Sequence, residues 1–497
     1  MRRNFLSRWM AAVSPHLVVL GGIVVLGAAL RFATLDLQSY RYDEAVTVGR
    51  ILHPSLFDTL SASVRGESTP PLYYLLAWLW AQPFGSGEVG LRSLSALLGT
   101  ASIAVVYLGA VSLPLPRRAG LLAAAIVAVG PVLVWFSQDA RAYALVLLLT
   151  ALSFLFFARA RRGSGGRDLA WWAICSALAL AAHYFAAFVV VPEAALLLWG
   201  SADRRRVAVA VAAIGVAALL LLPIALHQRG NAHASWIARQ PLSQRLGRAG
   251  AKLVGEDNGD EHGSRGVGPI PLAVPAALAL AALALLLWGG DKEERRGGGI
   301  AALVGGLGLL LALALAALGA DYIDGRNLIP LFVPLTILLG AGFAARRAAP
   351  AGLALGAAFC LCALVFTLEI DRLPRLQRED LRNAAARVGS LHPGKVVLTP
   401  RYSASQPLRY YLGARPATPP LPRLREIDLV GAASAARANA ARLLPGAFRR
   451  AESEAVSYDF TLTRLISPRP VRVPLRTLES GALVGGGGRA SVLVAGR

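Results

Sequence analysis

The chain has 497 residues, 55% of them hydrophobic and 16% charged, with 51 Lys+Arg against 29 Asp+Glu and a net charge of +22. That balance excludes a disordered tail, a collagen-like chain and an ordinary soluble enzyme. The three cysteines, Cys175, Cys360 and Cys362, lie inside apolar segments and form neither a disulfide framework nor a zinc site.

In chain order, MRRNFLSR is followed by an apolar run from Leu17 to about Leu35. The run is longer than a signal-peptide core and has no small-residue cleavage site, so a retained first membrane helix is predicted. Further spans are predicted over 90–112, 118–136, 141–159, 169–185, 186–200, 206–226, 269–289, 299–319, 326–345 and 350–369, which makes eleven. The segment 70–84, PPLYYLLAWLWAQPF, is apolar but short, and is read as a re-entrant or interfacial helix in the first outer loop, 37–89.

Charge supports this order. With the N-terminus inside, every second loop is basic: Arg2, Arg3 and Arg8; Arg117 and Arg118; Arg159, Arg161, Arg162 and Arg167; Arg204, Arg205 and Arg206; Lys292, Arg295 and Arg296; Arg346 and Arg347. This is the pattern of positive cytoplasmic loops. One missed or invented helix would break it. An odd number of spans leaves the C-terminus outside, in a multi-pass protein of the cell membrane.

The tail, 371–497, has no membrane-length apolar run and carries 21 Lys+Arg against nine Asp+Glu. Short strand-like runs at Val396–Thr399, Thr461–Ile466 and Ser491–Val494, with helical stretches at 378–389 and 431–443, predict a small extracytoplasmic α/β domain beside a membrane domain of residues 1–370. Its charge suits anionic lipid or glycan, and equally a solvated basic surface. GALVGGGG reads as a turn, because it lacks the strand-to-helix context of a nucleotide loop.

Four polar clusters fall on the predicted outer side. They are Tyr40-Arg41-Tyr42-Asp43-Glu44, continuing to Glu67-Ser68-Thr69-Pro70-Pro71-Leu72-Tyr73-Tyr74; Ser137-Gln138-Asp139-Ala140-Arg141-Ala142-Tyr143; His183-Tyr184; and Asp321-Tyr322-Ile323-Asp324-Gly325-Arg326-Asn327. Ionisable groups at helix ends facing a bundle interior mark function, whereas single clusters serve equally as interfacial anchors. No P-loop, nucleophile elbow or zinc-protease motif competes. The acidic loop Glu256-Asp257-Asn258-Gly259-Asp260-Glu261-His262 lacks EF-hand spacing and reads as a solvated loop, although it leaves room for a divalent metal. No other cofactor is expected, and nucleic acid is not an expected partner.

The acidic pair in RYDEA, the PPLYYLL segment, SQDARAYAL before a helix, HYF, and GRNLIPLFVPL opening a late helix together resemble the bacterial branch of the protein O-mannosyltransferase superfamily. These are glycosyltransferase family 39-like chains of the GT-C fold, to which the aminoarabinose lipid A transferase is related. Two positions depart from the family: Ser68-Thr69 stands where a His often precedes the Pro-Pro pair, and Asn327 replaces an aromatic after the late Arg.

The resemblance implies transfer of one sugar, mannose-like or related, from a polyprenyl-phosphate carrier to an acceptor hydroxyl on the outer face, with inversion. The acceptor would be a lipid, glycan or protein, with membrane lipids around the chain. Asp43 matches the family's catalytic acidic position, and a positioned carboxylate can serve as base toward a hydroxyl. Glu44 would orient Asp43 or bind the acceptor. Arg141 and Arg326 would hold the donor phosphate and stabilise its charge as it leaves. Tyr42, Glu67, Pro70, Pro71, Tyr73, Gln138, Asp139, Tyr143, His183 and Tyr184 would line the substrate pocket. The alternative is a polytopic transporter or flippase of lipid-linked sugars, which would place charges near the midplane and show repeat-related broken helices.

Overall fold

In a computed structural model of the chain, the described residues are 14–163, 166–200, 202–230, 237, 240–254, 271–431, 443–457, 460–485 and 488–496. The predicted acidic loop 256–262 lies outside them, as does most of the predicted helix 431–443. The chain divides into two compact units, one of Met1–Leu35 and Pro54–Arg372, the other of Asp36–His53 and Leu373–Arg497.

The helices, in chain order, are α1 (Pro15–Phe32), α2 (Tyr42–Val46), α3 (Leu56–Gly66), α4 (Leu72–Phe84), α5 (Glu88–Val111), α6 (Arg117–Val129), α7 (Pro131–Ser137) and α8 (Tyr143–Ala160). There follow α9 (Gly166–Ala182), α10 (Ala187–Gly200), α11 (Arg204–Gly230), α12 (Leu242–Val254), α13 (Ala273–Gly289), α14 (Lys292–Ala317), α15 (Phe332–Phe343), α16 (Ala349–Arg372), α17 (Leu381–Val388) and α18 (Ser405–Tyr411). Six of those described are long and apolar enough to cross a membrane: α1, α5, α8, α11, α14 and the stretch Arg346–Arg372 that contains α16. The pair α6 and α7 makes a seventh if taken as one bent span. Tyr184–Gly200, Ala273–Gly289 and Ile329–Phe343 are apolar but shorter.

In the first unit α5 packs on α8 and α6, α9 on α8 and α11, and α15 on α6, α13 and α14. The segment predicted as one span over 118–136 is broken at Gly130-Pro131, where α6 and α7 meet at 58°. Proline lacks the amide that would continue the ladder, and its ring clashes with the carbonyl four residues back. The carbonyls released must find donors in an apolar bundle. Arg31 of α1 supplies them to Val127 and Ala128, and the Thr367 hydroxyl of α16 supplies one to Val129. A second ionisable group lies within the helices. Glu193 of α10 is fully buried and accepts from Ser153 on α8 and Trp172 on α9, tying three helices together.

At the basic-loop end, Asp291 caps α14 through a capping box with Glu294. Glu294 also accepts the backbone amide of Arg346 at 2.9 Å and pairs with Arg118 at 3.5 Å. Arg118 donates in turn to the Ala344 carbonyl at the end of α15. These guanidinium and carboxylate groups satisfy helix termini.

The second unit is a six-stranded sheet of β1 (Lys395–Pro400), β2 (Ala414–Pro416), β3 (Leu424–Gly431), β4 (Arg449–Ala455), β5 (Thr461–Val471) and β6 (Ala490–Ala495), in the order β2-β6-β1-β3-β5-β4. The pair β1 and β3 is parallel and the other pairings are antiparallel. Alternation along β1 decides the two faces. Val396 and Leu398 join Ile427 and Leu429 in one apolar core, while Val397 joins Val430, Leu462 and Leu493 in another, under α17 and α18.

This division differs in one respect from a boundary at 370/371. Residues 36–53 belong with the tail, because their polar side chains are committed there. The Ser39 hydroxyl donates to the Glu379 carbonyl at 2.6 Å and accepts the Leu381 amide. The Tyr40 amide donates to the Tyr411 hydroxyl at 2.7 Å, and Gln38 accepts the Arg378 amide.

Candidate functional site

In the first unit the site grows from the end of the broken helix. After α7 the chain turns through Gln138, Asp139 and Arg141 before α8 begins at Tyr143. Gln138 Nε2 donates to the Leu30 and Arg31 carbonyls and to the Thr34 hydroxyl, which anchors the turn to the end of α1. Asp139 is fully buried beside it.

Arg141 grips Glu67, the residue that closes α3, with both terminal nitrogens at 2.8 and 2.7 Å. Both side chains are almost wholly buried. Charge-assisted bidentate contact fixes the plane of a guanidinium as well as its position. The Tyr74 ring lies 5.9 Å from the Arg141 guanidinium carbon, and its hydroxyl is 3.4 Å from that of Thr69. Pro70 and Pro71 turn the chain from this contact into α4, where buried Tyr73 meets Tyr74 edge-on.

A second layer closes the same end. Gln228, near the end of α11, donates to the Ser63 and Thr69 carbonyls and accepts from the Tyr184 hydroxyl at 2.9 Å. The His183 ring lies 5.9 Å from that of Tyr143 and 5.1 Å from that of Phe185. His183 is buried in this aromatic cluster.

Arg326 sits on Asp324, at 3.4 Å, in the loop before α15. That loop is held by Arg245 of α12, which pairs with Asp321 through both nitrogens and donates to the Ile323 carbonyl. Asn327 donates its amide to the Tyr322 carbonyl, and the Tyr322 ring meets Phe185 at 5.5 Å. Glu67, Tyr73, Arg141, Tyr143, His183, Tyr184 and Arg326 thus belong to one connected neighbourhood.

Tyr42, Asp43 and Glu44 lie in the second unit, at the start of α2. Glu44 is fully buried; it accepts the Arg41 amide in a capping box and pairs with the buried Arg378 at 3.0 Å. Asp43, one residue earlier, contacts the Arg41 guanidinium at 3.1 Å and keeps 31% of its side chain exposed. The pair therefore splits into a buried carboxylate inside the unit and one that is partly exposed.

Residues 68–227 match the family of dolichyl-phosphate-mannose-protein mannosyltransferases. The match contains the Pro-Pro-Leu-Tyr-Tyr, Gln-Asp-Ala-Arg and His-Tyr-Phe motifs; the acidic pair and Arg326 lie outside it. Among solved structures, the chain resembles ArnT from Cupriavidus metallidurans bound to undecaprenyl phosphate, at 13% identity and a TM-score of 0.52, over 93% of this chain and 100% of that one. The chain has the GT-C fold. The same protein in the apo state matches at 14% identity and a TM-score of 0.50, with the same coverage of both chains. No curated protein matches by sequence.

Within this GT-C chain, sequence reasoning missed Gln228, Arg245, Tyr74 as the aromatic face beside Arg141, and Arg378 as the partner of Glu44. Gln228 and Arg245 carried no local motif. Tyr74 stood inside a motif, but no local pattern indicated that its ring would lie beside Arg141. Among the described residues, no group of three or more His, Cys, Asp or Glu is arranged to hold a metal ion.

Proposed function

We propose that this chain is a membrane glycosyltransferase that moves a single sugar from a polyprenyl-phosphate carrier to an acceptor hydroxyl. The reading rests most on Arg141, held in plane by Glu67, within a GT-C fold. A guanidinium fixed before the substrate arrives spends no reorganisation when a phosphate develops charge. The acceptor oxygen attacks the anomeric carbon from the face opposite the carrier. The carbon–oxygen bond to phosphate breaks, and the electron pair leaves with the carrier phosphate, giving inversion. Asp43 takes the acceptor proton, a role favoured by its exposure. Arg141 and Arg326 meet the carrier phosphate, while Tyr73, Tyr143, His183 and Tyr184 shape the pocket. Glu44 supports the Asp43 segment through Arg378. The sugar is mannose-like or related, and the acceptor is a lipid, glycan or protein.

The chain would cross the membrane eleven times, with its N-terminus cytoplasmic and the sheet unit outside, in keeping with the alternation of basic loops. Single cysteines in the 117, 141 and 204 loops, in a background without the native three, should label from outside only at 141.

The deciding experiment incubates purified protein with a panel of polyprenyl-phosphate sugars and candidate acceptors. Release of free carrier phosphate in step with glycosylated acceptor is expected. Passage of intact carrier-sugar across vesicles without release would identify a transporter instead.

A further inference from the structure

The break between α6 and α7 is held by one buried side chain from another helix. Arg31, in the last turn of α1, is fully buried in an otherwise apolar bundle. Its Nη1 donates to the Gly27 and Ala128 carbonyls, both at 2.9 Å, and its Nη2 to Val127 at 2.8 Å. Its Nε donates to the Ser137 hydroxyl at 3.1 Å. A cap alone would need only the carbonyls of α6. The Ser137 contact extends the grip to the far end of α7, four residues before Arg141.

The next residue returns the contact. Gln138 donates to the Leu30 and Arg31 carbonyls, so the end of α7 holds the last turn of α1 while Arg31 holds Ser137. Close approach of a third helix presses on this joint. A Cβ at Gly99 of α5 would lie 2.0 Å from Ser137 Oγ and 3.2 Å from Arg31 Nε. Ser137, Gln138 and the turn to Arg141 are thus referred to a single fixed point inside the bundle.

We infer that Arg31 is a positioning residue for Arg141: its guanidinium, bridging the broken helix to Ser137, sets where the Arg141 guanidinium meets the carrier phosphate. The inference rests on the phosphate role proposed for Arg141. A structural role alone would lower the yield of folded protein without changing ligand preference. A positioning role changes how strongly the protein prefers a charged carrier head.

The test measures binding of undecaprenyl phosphate and of undecaprenol, the same chain without phosphate, to Arg31→Lys, Arg141→Lys and the double variant. Lysine keeps the charge but cannot span three carbonyls and a hydroxyl. Arg31→Lys is expected to weaken phosphate binding by about tenfold, the scale of coupling through a contact network, with undecaprenol binding unchanged. The double variant should lose little beyond Arg141→Lys alone. Ser137→Ala removes the acceptor for Arg31, along with the bond its hydroxyl donates to the Leu133 carbonyl of its own helix, but leaves the carbonyl contacts of Arg31 in place, and should show the same pattern at about threefold. It decides the matter if Arg31→Lys folds poorly. Equal weakening for both lipids, or full additivity with Arg141→Lys, would overturn the inference while leaving the role of Arg141 intact. If Arg141→Lys itself leaves the phosphate preference unchanged, the role of Arg141 falls first and this inference with it.

Discussion

Each unit of the molecule buries one glutamate against one arginine, and the two pairs differ in what surrounds them. In the sheet unit, Glu44 and Arg378 are enclosed on all sides, and the same glutamate also caps a short helix. In the helical unit, Glu67 and Arg141 lie beside the Tyr74 ring, in the same neighbourhood as the paired Tyr143 and His183 rings. The first pair joins two distant stretches of chain and leaves its neighbour Asp43 accessible. The second lies in the neighbourhood to which the proposed function assigns the carrier phosphate. The same two residue types would therefore give a fastening in one place and, on that proposal, a receptor in the other.

The largest expected effect separates these roles by stability. Glu44→Ala leaves Arg378 buried without its partner, and should cost the sheet unit about 3–5 kcal/mol. Proteolysis of the tail under native conditions reads this out. Arg141→Ala should act on chemistry instead, slowing transfer by about a hundredfold or more, as expected when one donor to a developing anion is lost. Glu67→Gln keeps the shape and loosens the grip, and about a tenfold fall in transfer is expected, with donor binding weakened in proportion. If Glu67→Gln instead unfolded the protein while leaving the transfer rate per folded molecule intact, the two pairs would be alike, and both would be fastenings.

The smallest effect concerns pH. In the proposed mechanism His183 shapes the pocket and moves no proton. His183→Gln should therefore leave the shape of the rate profile unchanged between about pH 5 and 8. A limb near neutrality that disappears in this variant would show that His183 titrates in the working enzyme.

Much of the helical unit is legible in the sequence because the bilayer imposes a length on each apolar run, and basic loops mark its ends. All eleven predicted segments are helical over most of their length, from α1 to α16. The strands β1, β5 and β6 enclose the three strand-like runs of the tail. Hydropathy does not encode a break, so 118–136 read as one span although Gly130-Pro131 stands inside it. It also hid Arg31 within an apolar run, since one guanidinium hardly changes a window average. The candidate residues were found by type and motif, but their pairings were not. Glu44 and Arg378 are 334 positions apart, and Glu67 and Arg141 are 74 apart. No local pattern announces contacts at such separations, and so the assignment of residues 36–53 to the tail unit appears only in the fold.

The central claim is that a guanidinium receives the carrier phosphate while a separate carboxylate takes the acceptor proton. Direct binding of the polyprenyl-phosphate sugar, measured beside single-turnover transfer in Asp43→Asn and Arg141→Ala, tests it most directly. Asp43→Asn should bind donor as well as the parent protein, yet transfer about a hundredfold more slowly or worse, the scale of a positioned base. Arg141→Ala should lose both donor affinity and rate. If Asp43→Asn abolishes donor binding while transfer per bound donor stays normal, the division of roles is contradicted.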